Sequence, residues 1–140
     1  MIIERAALSD LDAVYRLTNE LEERELPLAD FGQTYEALLC SPCDHIFVLR
    51  EGEIRGYVHV RLAPQLHHAA PIAEVQELVV SAGGRGQGLG RELLAFALAF
   101  CKESGARQAE LTSNFTRSSA HRFYEREGFQ KTSYKYVKAL

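Results

Sequence analysis

A chain of 140 residues has the length of one ordinary domain, and its 46% hydrophobic and 25% charged content excludes disorder as its main description. Sixteen Lys and Arg against nineteen Asp and Glu leave a net charge of -3, so the balance gives no general attraction for nucleic acid or an anionic membrane. There is no run of about 18 apolar residues and no signal-peptide stretch at the N-terminus, and three cysteines are too few for a disulfide scaffold, so a reducing cytoplasm is the expected setting.

Residues 2–5 are short and β-branched and read as an opening strand. Ser9 and Asp10 can cap the helix that follows, in which Leu11, Val14, Tyr15, Leu17, Thr18 and Leu21 recur at helical spacing, and Pro27 stops it. A weaker helix is expected over 30–39. Residues 45–50 and 54–62 are extended on either side of Glu51-Gly52-Glu53, a hairpin. Residues 63–71 read as a loop carrying Pro64, His67 and His68, and 72–80 as a central strand ending Leu78-Val79-Val80. A strong helix then places Leu89, Leu93, Leu94, Ala97, Leu98 and Cys101 on one face, and Gly105 ends it. A strand over 108–113, a helix over 116–127 closed by Gly128, and extended segments at 129–131 and 133–138 complete the chain. The order implies an α/β fold with a mixed sheet in one domain over 1–140, antiparallel in its first half and followed by a parallel crossover.

The informative segment is the glycine-rich turn Gly83-Gly84-Arg85-Gly86-Gln87-Gly88-Leu89-Gly90, set between a strand and a helix. Glycines let the backbone approach a ligand closely, a helix N-terminus offers unpaired N–H groups to an anion, and Arg85 adds a full charge. A phosphate or pyrophosphate is the natural tenant. The dinucleotide fingerprint fails because Arg91 and Leu93 stand where its third glycine is required. The nucleotide P-loop fails because Gly88 is followed by Leu89 instead of Lys.

Arg85-Gly86-Gln87-Gly88-Leu89-Gly90 matches the Arg/Gln-x-x-Gly-x-Gly/Ala signature of the GNAT acetyltransferase superfamily, and Ala120-His121-Arg122-Phe123-Tyr124 through Gly128-Phe129 resembles that family's A-x-x-F-Y-x-x-x-G-F block. The resemblance covers essentially the whole chain and implies the GNAT acyltransferase fold with acetyl-CoA as cosubstrate. It implies that Leu78, Val79 and Val80 hold the pantetheine through their backbone, that Arg85 to Gly90 and Arg91 hold the pyrophosphate, and that Asn114 bonds the pantetheine arm. Within the superfamily, Gln65-Leu66-His67-His68, Glu74 to Val80 and the ending Lys138-Ala139-Leu140 are similar to the branch that acetylates aminoalkylphosphonates, with Gln65 where that branch has a further His.

Acetyl transfer needs a neutral amine, and free alkylamines have a pKa of about 10, so a base must take a proton. Glu74 matches the position of the family's usual glutamate and is the first candidate; Glu77 is the second. Three residues of spacing put them on opposite faces of a regular strand unless a bulge intervenes. Backbone N–H groups near Val79 and Val80 can receive the developing charge. Tyr124 matches the tyrosine that the family aims at the departing thiol, a role as acid.

Gln65, His67 and His68 are the expected acceptor-side residues, with Arg61 and Arg24 as candidate cations for an anionic substrate. A divalent metal on His67 and His68 remains open, although adjacent side chains on an extended chain point apart and the spacing does not support it. Cys40-Ser41-Pro42-Cys43 lacks a second ligand pair for zinc and a thioredoxin-like context, and reads as unpaired thiols. His45, His59 and His121 stand in no motif.

The expected function is therefore acetyl-CoA-dependent N-acetylation of a small primary amine by direct transfer in a ternary complex, in a homodimer with no nucleic-acid or membrane partner. An aminoalkylphosphonate is the leading acceptor. Aminoglycoside, polyamine or protein amines, and a non-catalytic CoA-binding module, are the alternatives.

Overall fold

The first strand, β1 (Ile2–Arg5), pairs antiparallel with β2 (Asp44–Glu51), which pairs antiparallel with β3 (Glu53–Gln65), itself antiparallel to β4 (Ala70–Val80). β5 (Ala109–Leu111) ends the sheet in the order β1-β2-β3-β4-β5. Hydrogen bonds from the Arg107 amide to the Pro71 carbonyl and from the Ala73 amide to the Gln108 carbonyl rise together in both segments, so this last neighbour runs parallel to β4. The mixed sheet expected from the sequence is present. The computed structural model describes residues 1–140 as two compact units, residues 1–110 and residues 111–140.

In the first unit, α1 (Leu11–Glu22) and α2 (Leu28–Cys40) cover one sheet face and α3 (Leu89–Glu103) covers the other. The alternation of β2 makes this two-sided. Ile46 and Val48 join Val14, Leu17, Tyr35, Tyr57 and Val79 under α1 and α2. Phe47, pointing the other way, meets Phe96 and Phe100 of α3. The apolar face read for α3 is the buried one, with Leu89, Leu93, Leu94, Ala97 and Cys101 all nearly inaccessible. Gly56 on β3 has no room for a side chain, because a Cβ there would stand 2.6 Å from the Val79 carbonyl oxygen and 2.9 Å from Leu93.

Three expectations require correction. α1 ends at Glu22, where Glu23 adopts a left-handed conformation (φ 55°), four residues before Pro27, which instead precedes the first residue of α2. Residues 63–71 are not a loop: β3 runs on through Pro64 to Gln65 and β4 begins at Ala70. Only a 3-10 turn, Leu66–His68, and Ala69 lie between them. Pro64 is tolerated there because its ring fits extended backbone near a strand end.

In the second unit, α4 (Ser118–Arg126) follows a turn at Asn114. The strands expected at 129–131 and 133–138 are absent, and residues 131–140 are exposed throughout. A strand needs a hydrogen-bonding neighbour, and the alternation of Tyr134, Lys135, Tyr136 and Val137 supplies the pattern without one.

Candidate active site

β4 carries the bulge on which the site depends. Along β3, Arg61 pairs with Glu74, Val60 with Val75 and His59 with Glu77, so Gln76 is an extra residue without a partner. Directly opposed residues in an antiparallel pair share a face, and His59 and Arg61 share one, so the bulge turns Glu74 and Glu77 to the same side of the sheet. That side is the one covered by α1 and α2.

Between those helices and the sheet lies a cavity of about 60 Å³, whose walls include Tyr35, Ile46, Tyr57, His59 and Glu77. Glu77 is held by its neighbours: the Tyr57 hydroxyl donates to Oε2 at 2.6 Å. Burial, then the Glu77 charge, drives the Tyr57 pKa well above its ordinary value, so this phenol stays neutral. Tyr35 is pushed up to about 12 by burial and by Asp10, and donates to the Ala7 carbonyl.

Beside Glu77 lies a buried polar cluster. Asp44 Oδ1 is 2.8 Å from His59 Nε2, and Asp44 Oδ2 accepts from Arg61 Nη1 at 2.8 Å and from the Ser41 hydroxyl at 2.7 Å. Burial acts to raise the Asp44 pKa. The hydrogen bonds from Ser41 and His59 and the charges of His59 and Arg61 outweigh it, and the net shift is downward. A depressed folded pKa contributes stability that is complete above the ordinary 3.8 and is lost as pH falls through the folded value. Acid unfolding followed by circular dichroism should therefore show a component below pH 3.8 that Asp44→Asn lacks; coincident curves would exclude it.

At the other end of β4, Leu78, Val79 and Val80 lead into the glycine turn. The Ser81 amide donates to the Arg55 carbonyl and the Ala82 amide to Glu20 Oε1 at 2.8 Å. Arg85 Nη2 lies 3.9 Å from the same Glu20 oxygen, and Gln87 Nε2 donates to the Gly83 carbonyl. Gly86 and Gly88 take φ of 79° and 80°, and a Cβ at either would meet no atom within 4 Å. The turn is thus an open backbone cradle at the N-terminus of the 15-residue α3, where the first N–H groups of a helix, here those of Leu89 and Gly90, point out of the helix end. An anionic phosphate fits this donor set.

The Leu66–His68 turn lies at the opposite end of β4. From Ala70 to Glu77 is seven residues of strand, about 23 Å. The structure brings Gln65 and His68 together around Glu110: Gln65 Nε2 is 3.5 Å from Oε1 and His68 Nε2 is 3.9 Å from Oε2. The His67 and His68 rings are 4.3 Å apart. No group of three or more His, Cys, Asp or Glu is arranged to hold a metal ion, and Cys40, Cys43 and Cys101 are free thiols.

In the second unit, Asn114 Oδ1 accepts from the amide and hydroxyl of Thr116, and its carbonyl is 2.8 Å from His121 Nε2. Tyr124 packs against Phe123 and Phe129, with centroids 5.3 and 6.0 Å away. Burial raises its pKa despite the opposing Arg117 charge.

Residues 11–129, spanning both units, match the model of the acetyltransferase (GNAT) family. The chain belongs to the GNAT acetyltransferases. This GNAT protein is 40% identical over 139 residues to an aminoalkylphosphonate N-acetyltransferase of Salmonella typhimurium (strain LT2), a match that covers 99% of this chain and 90% of the relative. Among solved structures it resembles a protein of Bacillus halodurans C-125 described as a transcriptional regulator, with 26% identity, a TM-score of 0.87 and coverage of 99% and 98%. An aminoglycoside acetyltransferase from an uncultured soil sample, in complex with sisomicin, shares the fold at 22% identity and a TM-score of 0.84, covering 99% of this chain and 95% of that one.

The protein is thus a GNAT-family N-acetyltransferase, with an open glycine turn at one end of β4 and two same-facing carboxylates in the middle of that strand. Sequence reasoning missed Tyr57, His59 and Asp44. Tyr57 and His59 had one signal, the alternation Tyr57, His59, Arg61, which places three polar side chains on one face of their strand; Asp44, on β2, had none.

Proposed function

We propose that this enzyme transfers the acetyl group of acetyl-CoA to the primary amine of a small molecule, with an aminoalkylphosphonate as the leading acceptor. The observation that carries the reading is the Glu77 carboxylate on the cavity wall, three residues before β4 ends at Val80 and leads into the glycine turn. The bound cosubstrate supplies a thioester. Leu78, Val79 and Val80 orient its pantetheine and Arg85 to Arg91 receive its pyrophosphate; Asn114 and Tyr124 are assigned to the same cosubstrate by the family resemblance alone.

Glu77 takes the proton of the acceptor ammonium, directly or through water, and the nitrogen keeps the electron pair with which it attacks. Glu74, on the same face, is the second candidate. Tyr124, kept protonated by burial, gives its proton to the departing sulfur. The name of the Salmonella relative supports the phosphonate. Chemically, a phosphonate offers three acceptor oxygens to imidazole, amide or guanidinium donors, and holding it fixes the amine at a set distance from the thioester.

Two places can receive that anion: the turn with Gln65, His67 and His68, or the Arg61 and His59 side of the cavity, and a molecule of that size does not span the strand between them. The test is thiol release from acetyl-CoA over a panel of aminomethylphosphonate, a neutral amine of the same length, spermidine and kanamycin. Aminomethylphosphonate is expected to react best, and His67→Ala to raise its KM more than that of the neutral amine. Equal effects move the anion to the Arg61 side, and a preference for spermidine overturns the phosphonate reading while leaving acetyl transfer intact.

The enzyme is further proposed to work as a homodimer through its C-terminal segment, where Tyr134, Tyr136, Val137 and Leu140 are exposed. Light scattering should give twice the 15.7 kDa chain mass; a single peak at the chain mass excludes a stable dimer.

A further inference from the structure

We infer that Tyr57 and Thr18 are positioning residues for the proton that Glu77 receives, through a chain of buried hydroxyls that is one hydrogen short while Glu77 is a carboxylate and complete once it carries a proton. The inference rests on the reading of Glu77 as the base. Glu77 Oε2 is 2.6 Å from the Tyr57 oxygen, that oxygen is 2.7 Å from Thr18 Oγ1, and Thr18 Oγ1 is 2.7 Å from the Val14 carbonyl oxygen of α1. Tyr57 is 3% exposed and Thr18 5%, so both side chains are buried.

Three contacts share two hydroxyl hydrogens. With Tyr57 donating to Glu77 and Thr18 to Val14, the contact between the two hydroxyl oxygens holds none. If Thr18 turns to Tyr57, the contact with Val14 holds none. A proton on Oε2 closes the count: Glu77 donates to Tyr57, Tyr57 to Thr18 and Thr18 to Val14, all in one direction. The proton leaves the acceptor's ammonium nitrogen, which keeps its electron pair, and forms an O–H bond on Glu77. The two hydroxyls only rotate.

A tyrosine that merely tethers a carboxylate needs no second buried hydroxyl behind it. Thr18 gives the Tyr57 hydrogen somewhere to go when Glu77 becomes a donor. The titratable and charged groups that face this chain are His59 from β3, Asp44 with Arg61 behind His59, Tyr35 from α2, Glu22 from α1, and Glu74 on the strand of Glu77 itself.

The test is steady-state kinetics across pH with acetyl-CoA and the best amine of the panel. Thr18→Val never touches Glu77. It is expected to lower kcat about three- to tenfold, the worth of one buried hydrogen bond, with KM for acetyl-CoA unchanged. The acidic limb of the kcat profile should move to lower pH, since Thr18→Val removes one hydrogen bond from the carboxylate arrangement and two from the protonated one. Thr18→Ser should restore both. In a Glu77→Gln background Thr18→Val should add no further loss, and Tyr57→Phe/Thr18→Val should be no worse than Tyr57→Phe. An unchanged kcat and pH limb in Thr18→Val overturns the inference, as does an equal loss with and without Glu77. If Thr18→Val does not fold, additive losses in Tyr57→Phe and Tyr57→Phe/Thr18→Ala overturn it as well. Full activity of Glu77→Gln alone is a different failure, that of the base assignment.

Discussion

Glu77→Gln should lower acetyl transfer by about 10²–10⁴-fold, the usual range for loss of a general base, while affinity for CoA stays the same. Glutamine keeps the shape of the side chain and still accepts from the Tyr57 hydroxyl, so the cavity wall is retained and only the capacity to take a proton is lost. The same change at Glu74, opposite Arg61 on β3, should cost less. Raising the pH should recover part of the lost rate in Glu77→Gln, because the acceptor amine then loses its proton to solvent. Full activity of Glu77→Gln beside an inactive Glu74→Gln would return the base to Glu74.

The choice between these two carboxylates shows where sequence reading stops. The residues named the strand, the two candidate carboxylates and the condition for their sharing a face. The condition itself, a bulge at Gln76, is marked in the sequence only by the adjacent polar pair Gln76-Glu77, which breaks the alternation without saying how the strand accommodates it, since Gln76 is neither a glycine nor a turn former. Asp44 and His59 were hidden for a related reason. They meet across strands, 15 residues apart, by a register that only the folded sheet defines. The glycine turn was legible because it is local: strand, positive-φ glycines and amphipathic helix follow one another within about twenty residues. The C-terminal segment misled in the opposite direction, since an alternating pattern states which way side chains would point in a strand and says nothing of whether a neighbour is there to pair with it.

Gly88→Val should weaken CoA binding at least tenfold, about 1.4 kcal/mol, with little loss of folding. Gly88 precedes α3 in a left-handed conformation (φ 80°), and a Cβ there would meet no protein atom within 4 Å. The protein itself therefore has room for a side chain, and the direct cost to the fold is the backbone preference of an L-residue, about 1–2 kcal/mol. The open space beside Gly88 is where a phosphate would approach the N–H groups of the turn and of α3, and a branched side chain stands in it. Gly105→Val is the control. It imposes the same kind of strain (φ 101°) with nothing within 4 Å, at the far end of a 15-residue helix, about 22 Å away. Both variants should melt slightly lower than the parent. Calorimetric titration with CoA should show the affinity loss in Gly88→Val alone, and the rise in melting temperature that CoA produces should shrink in that variant only, because stabilisation by a ligand follows its Kd. Undiminished CoA affinity in Gly88→Val, or an equal loss in Gly105→Val, would take the pyrophosphate away from this turn.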